Sequence, residues 1–590
     1  MAQTESPTNA MRKTMLTGES LVQGSARGQV LYADVPLSFM GGVDPATGEV
    51  IDTHHPLQGQ NVSGRVVIIP SGRGSCAGSV VIFEMLLRGT APAALVFLYK
   101  ETILTLGAII AEEFFGKSLP IIRLDQADFD EIANATSVSI NNGRVYLGEK
   151  WDNLENPHPE PASLRSAGIN LSDNDVRMLE GHLGEAARKA MRVVVRSALL
   201  EGAMDLIDVE MAHIDGCFYH GPASLQFAEK LCELGARVCV PSTMNAICVD
   251  RHQWRSQGVS TSIGEPSDQL AEAYVRMGVE PTFTCAPYLL EPRPSFGQQI
   301  AWAESNAVVF ANSVLGARTM KYPDYLDILV AITGRAPNAD CHVEIRRFAT
   351  IQFDIGALGR IDDAFYPTLG YHIGKIAPND IPVICGLEAE HVTHDDLKAF
   401  SAAFATTSAV AMFHMVGVTP EAPTLEAALG DNARAPIVSV TRDDLIETWS
   451  ELNSAKTPDI DLVALGNPHF SLTEITRLAS LCDGRTKAAG VGLTITCGRD
   501  VYAKALASDL VTPLEKFGAT FVQDTCWCLI KEPVIAPTVR NIMTNSGKYA
   551  HYGTAAVGRG LHLASLADCV ESACTGRTSL TLPDWLASDR

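Results

Sequence analysis

Residues 66–87, VVIIPSGRGSCAGSVVIFEMLL, run from an apolar strand (Val66–Ile69) through a glycine-rich loop into a helix predicted over residues 80–87. Gly72, Gly74 and Gly78 let the backbone turn sharply and approach a ligand closely, and the free N–H groups of a helix start favour an anion. The spacing is GxGxxxG with no lysine, so it matches neither the Walker loop nor the GxGxxG dinucleotide fingerprint. What the loop presents is Ser75, bracketed by Arg73 and Cys76. It reads as a holder of a hydroxyl and an anion rather than of a nucleotide.

The 590 residues exceed what one core can organise, so at least two domains are expected. With 46 Lys and Arg against 68 Asp and Glu, the formal net charge is −22. That balance argues against nucleic-acid or anionic-membrane partners, both of which ask for a basic surface. The start, MAQTESPTNAMRK, lacks the apolar core of a signal peptide. The most apolar long run, residues 400–418, is broken by Ser401, Thr406, Thr407, Ser408 and His414 and reads as a core helix leading into a strand. A cytoplasmic location is the expectation. The 14 cysteines show no CxxC pair, which speaks against a zinc ribbon or thioredoxin-type site, and most read as free thiols.

Working outward, residues 1–150 are rich in Gly, Val and Ile, with strand-like runs at residues 65–69, 94–98 and 137–146. Residues 151–166, WDNLENPHPEPASLRS, carry three prolines and read as a linker. Ser172 followed by Asp175 resembles a capping box, opening one long helix through Met178, Leu179, Leu183, Ala186 and Ala190. Beyond it, strand-like runs at 237–240, 308–310, 383–387, 437–440 and 462–465 alternate with amphipathic helical patterns. The alternation predicts an α/β body with a largely parallel sheet.

Five further clusters could carry chemistry. Cys285 lies in a Pro-rich loop ahead of Glu304, Ser305 and Asn306. Cys526-Trp-Cys528 follows a strand-like run, but one cysteine pair binds a metal only weakly and needs partners from elsewhere. Lys548 beside Gly547 suits a carboxylate or phosphate, with Tyr549 or His551 adding directional bonds. His213 and Asp215 share one face of a strand, and residues 239–245, including Thr243, repeat that strand-to-polar-loop transition. His391 and His394 read as capping and surface residues rather than zinc ligands. Taken singly, each cluster has an ordinary structural alternative: a core thiol or a solvated loop.

In combination they resemble a family. GRGS (72–75), PTFTCAPY (281–288), AWAESNAV (301–308), FANSVLGAR (310–318), DTC (524–526), NSGKYAHY (545–552) and DCVESA (568–573) are similar, in order and over nearly the whole chain, to the hallmarks of the aconitase X family. The resemblance implies a small swivelling β/α domain at residues 1–150, a linker at 151–162 and a large multi-lobed α/β aconitase-like body at 163–590. It implies Ser75 as the base that removes the proton alpha to the substrate carboxylate, and Cys285, Cys526 and Cys569 as ligands of an iron–sulfur cluster. Arg73, His213, Thr243, Asn306, Arg318, Lys548 and Tyr549 would bind the substrate. A GCPH motif of many relatives reads Gly466-Asn467-Pro468-His469 here. Fewer thiolates make 2Fe–2S the expected cluster, with 3Fe–4S and 4Fe–4S as alternatives. An open iron site acts as a Lewis acid on a substrate hydroxyl. A fused chain, small domain first, resembles the branch that dehydrates cis-3-hydroxy-L-proline to Δ1-pyrroline-2-carboxylate; the alternative is mevalonate 5-phosphate dehydration. The implied partner is a small hydroxy amino acid, with no nucleic acid, no membrane and no separate small subunit, the chain acting as a monomer.

Overall fold

The structure of the protein, a computed structural model, describes residues 15–52, 55–73, 76–148, 164, 168–356, 360–387, 391–432 and 434–587. It divides into two compact units: residues 1–73 with 81–163, and residues 74–80 with 164–590. Ser75 and residues 151–162 lie outside the described residues. Among the described residues no helix is long and apolar enough to cross a membrane.

The first unit holds an eight-stranded sheet. Its strands are β1 (Met15–Thr17), β2 (Glu19–Val22), β3 (Ser25–Tyr32), β4 (Val66–Ile69), β5 (Ala94–Phe97), β6 (Ile121–Arg123), β7 (Ser137–Asn141) and β8 (Arg144–Leu147), in the order β1-β8-β7-β3-β4-β5-β6-β2. Strands β3 to β6 run parallel, and β4 and β5 are buried along their whole length. Parallel strands covered on both faces read as continuous apolar runs, which is why VVII was legible. The expected strand over 137–146 is a hairpin. Asn142 and Gly143 both take positive φ (45° and 86°), the two-residue turn that matches strand twist.

The second unit carries four further sheets. β9 (Leu206–Asp208) pairs antiparallel with β13 (Arg335–Pro337). β10 (Ala212–Ile214) lies between parallel neighbours β11 (Ser242–Met244) and β12 (Ala301–Trp302). A four-stranded parallel sheet has the order β16 (His414–Met415), β15 (Pro382–Cys385), β14 (Ile351–Ile355), β17 (Ile437–Val440). A five-stranded parallel sheet has the order β20 (Ala519–Val522), β19 (Gly492–Thr496), β18 (Leu462–Leu465), β21 (Asn541–Thr544), β22 (Gly560–Leu563). The α/β class read from the sequence is the observed one.

Three local expectations change. The capping box of Ser172 and Asp175 forms, but the helix stops at Leu179, and Gly181 and Gly184 (φ 81° and 100°) turn the chain before a second helix, Glu185–Glu201. Residues 237–240 are irregular, with strand pairing beginning at Ser242. Residues 308–310 belong to the helix Ser305–Phe310, whose first turn is capped by the Glu304 carboxylate. Every residue of that helix beyond Ser305 is buried, so no polar face marks it as helical.

The helices Phe365–Ile376 and His394–Thr407 cross closely because glycines stand at the contact. A Cβ on Gly370 would lie 2.5 Å from the Phe400 carbonyl oxygen, which is backbone and cannot rotate away. Gly370→Ala should therefore cost about 1–3 kcal/mol through overpacking. Gly356→Ala, where a Cβ meets nothing within 4 Å, should stay within about 0.5 kcal/mol of the parent. Chemical denaturation of the two variants checks this, and equal midpoints would refute the packing argument.

Candidate functional site

The side chains of interest sit where parallel strands end, the position at which α/β sheets bind ligands. From the three-stranded sheet, β10 is followed by Asp215, β11 by Asn245, and β12 leads to Glu304 and Asn306. From the five-stranded sheet, β18 leads to Asn467 and His469, β20 to Cys526 and Cys528, and β21 to Ser546 and the helix Gly547–Val557 that carries Lys548. Lys548 thus opens a helix capped by Ser546 rather than lying in a loop.

One polar chain links the two sets of strand ends. The Asn245 side-chain amide donates to the Asp215 carboxylate and, at 3.5 Å, to Glu304 Oε2. Lys548 Nζ donates to Glu304 Oε1 at 2.7 Å. Asn306 donates to Glu304 Oε1 and, at 3.0 Å, to the Cys285 carbonyl, while its Oδ1 accepts from the Tyr288 hydroxyl at 2.7 Å. Behind Asp215, the Asp327 carboxylate accepts from the backbone N–H of Asp215 (2.6 Å) and Gly216 (3.2 Å). Asp324 is fully buried beside them.

Crowding sets the charge states. Burial, and then the neighbouring Glu304, push Asp215 up to about 8. Burial raises Asp324 well above the carboxylate range, with Asp215 adding to it, and lifts Asp327 to about 6 against four backbone hydrogen bonds. Burial works to raise Glu304 as well, but Lys548 overrides it and holds that carboxyl below its usual range. Lys548 is itself held well above its ordinary value, burial being outweighed by Glu304 and by the Cys528 and Cys526 sulfurs. At neutral pH the chain therefore holds an ionised Glu304–Lys548 pair beside a proton-retaining Asp215.

His213 is fully buried, and burial lowers it to about 4, so its ring is neutral. Its Nδ1 is 2.8 Å from the Thr243 hydroxyl, and its Nε2 has no hydrogen-bond partner among the described residues. The Tyr549 ring packs on Trp527 with centroids 5.4 Å apart, and its hydroxyl is likewise unpartnered.

Cys285 and Cys526 pack together around Ala246, with Cys528 against them. The Cys285 thiol beside it, with burial, raises Cys526, and Cys526 in turn raises Cys528. Ionising these thiols calls for a bound cation. Two N–H groups point at the sulfurs: His469 N donates to Cys285 Sγ (3.4 Å) and Asn467 Nδ2 to Cys528 Sγ (3.1 Å). The neighbouring Thr525 Oγ1 and Asn467 Oδ1 are buried and unpartnered. Among the described residues no three His, Cys, Asp or Glu side chains are arranged to hold a single metal ion. Thiols that receive N–H donors are the ligand type of an iron–sulfur cluster, and Cys285, Cys526 and Cys528 are the residues present that fit one.

Cys569 and Arg318 lie elsewhere in the second unit, while Arg73 belongs to the first unit. Cys569 stands on the inner face of the helix Leu566–Thr575, buried with Leu566, Val570 and Ala573 in the core under the five-stranded sheet, and its charged neighbours are Asp363 and Asp568. Helical periodicity accounts for its burial, and the thiol that packs beside Cys285 and Cys526 is Cys528. The Arg318 guanidinium pairs with Glu344. Arg73 is half exposed and donates to Asp52 at 2.8 Å. Glu304, Cys528, Asn245 and His469 fall in segments the sequence marks without giving them a role, and Asp324 and Asp327 fall in none of them. The only sequence signal for Asp324 and Asp327 was a pair of acids three residues apart against a wholly apolar run.

Two outcomes test this electrostatic arrangement. Lys548→Met leaves Glu304 buried without its cation and should cost about 3–5 kcal/mol, most of it recovered in the Lys548→Met/Glu304→Gln double variant; no recovery would break the pairing argument. Asp215 stabilises the fold in its protonated form. Its contribution is complete below the ordinary carboxylate range and is lost as pH rises through about 8. The wild-type unfolding midpoint should fall more steeply from pH 5 to 8 than that of Asp215→Asn; parallel curves would contradict this.

The sequence matches four family descriptions in series: Aconitase X swivel domain over residues 15–148, Aconitase X first domain over 168–345, second domain over 349–450 and third domain over 460–575. It is 52% identical to a cis-3-hydroxy-L-proline dehydratase of Pseudomonas aeruginosa, over 98% of this chain and 99% of that protein. It is 49% identical to one of Hypocrea jecorina, over 98% of each. A phosphomevalonate dehydratase large subunit of Methanothermobacter thermautotrophicus is 34% identical over 65% of this chain and 94% of that protein. Among solved structures, aconitase X of Thermococcus kodakaraensis in its holo-form superposes with a TM-score of 0.62 at 32% identity, over 69% of this chain and all of that one. This chain belongs to the aconitase X family and is a carbon–oxygen lyase.

Proposed function

We propose that the protein dehydrates cis-3-hydroxy-L-proline to Δ1-pyrroline-2-carboxylate. The observation that carries this is likeness at full length: both named cis-3-hydroxy-L-proline dehydratases are matched over 98% of this chain, swivel domain included. The phosphomevalonate dehydratase large subunit reaches only 65% of it. The charge of the site favours the same reading. Its polar chain joins one cation, Lys548, to Glu304, with Asp215, Asp324 and Asp327 behind. A phosphate ester would call for several convergent cations; a secondary ammonium is at home beside carboxyl groups.

In this reaction the base takes the proton from C2, the C2–H electrons form the C2=C3 bond, and the C3 hydroxyl leaves with a proton as water. The resulting enamine shifts a proton from nitrogen to C3 and becomes the cyclic imine. Ser75 is our choice of base. Lys548, His213, Asn306, Thr243 and Tyr549 line or brace the substrate pocket, and Cys285, Cys526 and Cys528 would hold an iron–sulfur cluster, which we take to be 2Fe–2S. When bound, such a cluster supplies a Lewis acid that makes the hydroxyl a better leaving group. The buried Lys548 ammonium is a second electrostatic anchor, suited to the substrate carboxylate. The chain is proposed to work as a monomer in the cytoplasm without a separate small subunit.

Anaerobically purified protein should contain iron and turn over cis-3-hydroxy-L-proline but not mevalonate 5-phosphate; the reverse preference would overturn the substrate choice. Ser75→Ala should lose about 10²–10⁴-fold in kcat while keeping its iron. Near-parental turnover would remove Ser75 from the mechanism.

A further inference from the structure

His469 is the most fully engaged side chain near the cysteines, and the reading so far gives it no task. It is completely buried, three residues beyond Gly466, the glycine that follows β18. Its Nε2 lies 2.8 Å from the Thr525 carbonyl oxygen. A carbonyl only accepts, so Nε2 carries the proton. Nδ1 is then the acceptor for the Thr284 hydroxyl at 3.2 Å. That hydroxyl in turn accepts from the Ala286 N–H at 3.1 Å. The backbone of His469 is used too: its N–H donates to Cys285 Sγ at 3.4 Å, and its carbonyl accepts from the buried Lys398 ammonium at 3.2 Å. One ring therefore grips the residue before Cys285 and the residue before Cys526, while its own N–H touches the Cys285 sulfur. Gly498 leaves room for this, since a Cβ there would stand 3.3 Å from Thr284 Oγ1.

We propose that His469 is a positioning residue for the iron–sulfur centre: it fixes the separation of the Cys285 and Cys526 loops and aims a backbone N–H at the Cys285 sulfur. The inference rests on the cofactor reading above. Hydrogen bonds to ligating sulfurs and the orientation of ligand loops tune both retention and spectrum of such a centre. A filler of the core would need neither nitrogen.

The test uses the full chain, reconstituted anaerobically, as wild type, His469→Leu, His469→Gln and Thr284→Val. The readouts are iron per chain, visible circular dichroism and electron paramagnetic resonance, and the rate of iron loss to a chelator. The unfolding midpoint of each iron-free protein is measured alongside. His469→Leu should release iron about 10–100-fold faster, with an altered visible spectrum. His469→Gln, whose amide N–H can still reach the Thr525 carbonyl, should recover most of the retention. Should His469→Leu fail to fold, Thr284→Val decides: a shifted spectrum with an unchanged iron-free midpoint supports the proposal, and a wild-type spectrum overturns it. Variants that match wild type in iron release and spectrum overturn the role of His469 alone. A wild type that holds no iron overturns the cofactor reading first.

Discussion

The site hangs on a buried ion pair. Glu304 and Lys548 come from segments 244 residues apart, both largely withdrawn from solvent, with Nζ and Oε1 2.7 Å apart. Such a pair is seldom a net source of stability, because desolvating two charges costs as much as their attraction returns. Its value here is registry. Asn306 ties the same carboxylate to the Cys285 carbonyl, and Asn245 ties it to Asp215, so one oxygen pair sets the position of three strand ends. The ammonium lies near enough to Cys526 and Cys528 for their sulfurs to raise its affinity for protons. Carboxylate chain and thiol cluster are therefore one electrostatic unit.

A second clasp works from behind the cysteines. Asp524 is fully buried with φ +65°, a conformation few side chains accept, and its carboxylate takes both Arg499 Nε and Nη2 and the Arg251 N–H. Those two arginines stand over the ring of Phe283, at 4.8 Å and 5.5 Å from its centroid. Phe283 and Asp524 each sit two residues before a cysteine of the cluster. Strain at Asp524 is the cost of turning the chain so that Cys526 and Cys528 both face inward. A bidentate arginine is the group that can hold a carboxylate in that pose.

The parts of the fold that were legible share one trait: a single local cause. Val66–Ile69 is apolar because both its faces are covered, and the Ser172 box forms because its two partners are three residues apart. The long helix after it broke because Gly181 and Gly184 outweighed an apolar periodicity that continued across them. Residues 308–310 misled because a fully buried short helix and a buried strand look alike in sequence. The site was legible where motifs were long, as at Cys285, Asn306 and Lys548. It was hidden where a residue's meaning comes from contacts made across the sequence. Nothing beside Asn245 announces that its amide will meet a carboxylate from another strand end. Cys569 shows the converse: its motif says nothing of the helix face that turns its thiol into the core.

Asn467 shows how the two levels combine. Where the resembled GCPH motif would place a cysteine, the Asn467 amide donates to Cys528 Sγ, so the position contributes to a sulfur's hydrogen bonding instead of adding a sulfur. Charge explains why that exchange suits this site. Asp215, Asp324 and Asp327 are already held toward protonation by burial and by one another. A further thiolate would add negative charge to a region where Lys548 is the cation of the polar chain, and each buried like charge makes the next more costly. An asparagine occupies similar space with no net charge and supplies a donor in place of an acceptor. Three thiols, two N–H donors and one ammonium form a set in which each sulfur has a donor or a cation near it.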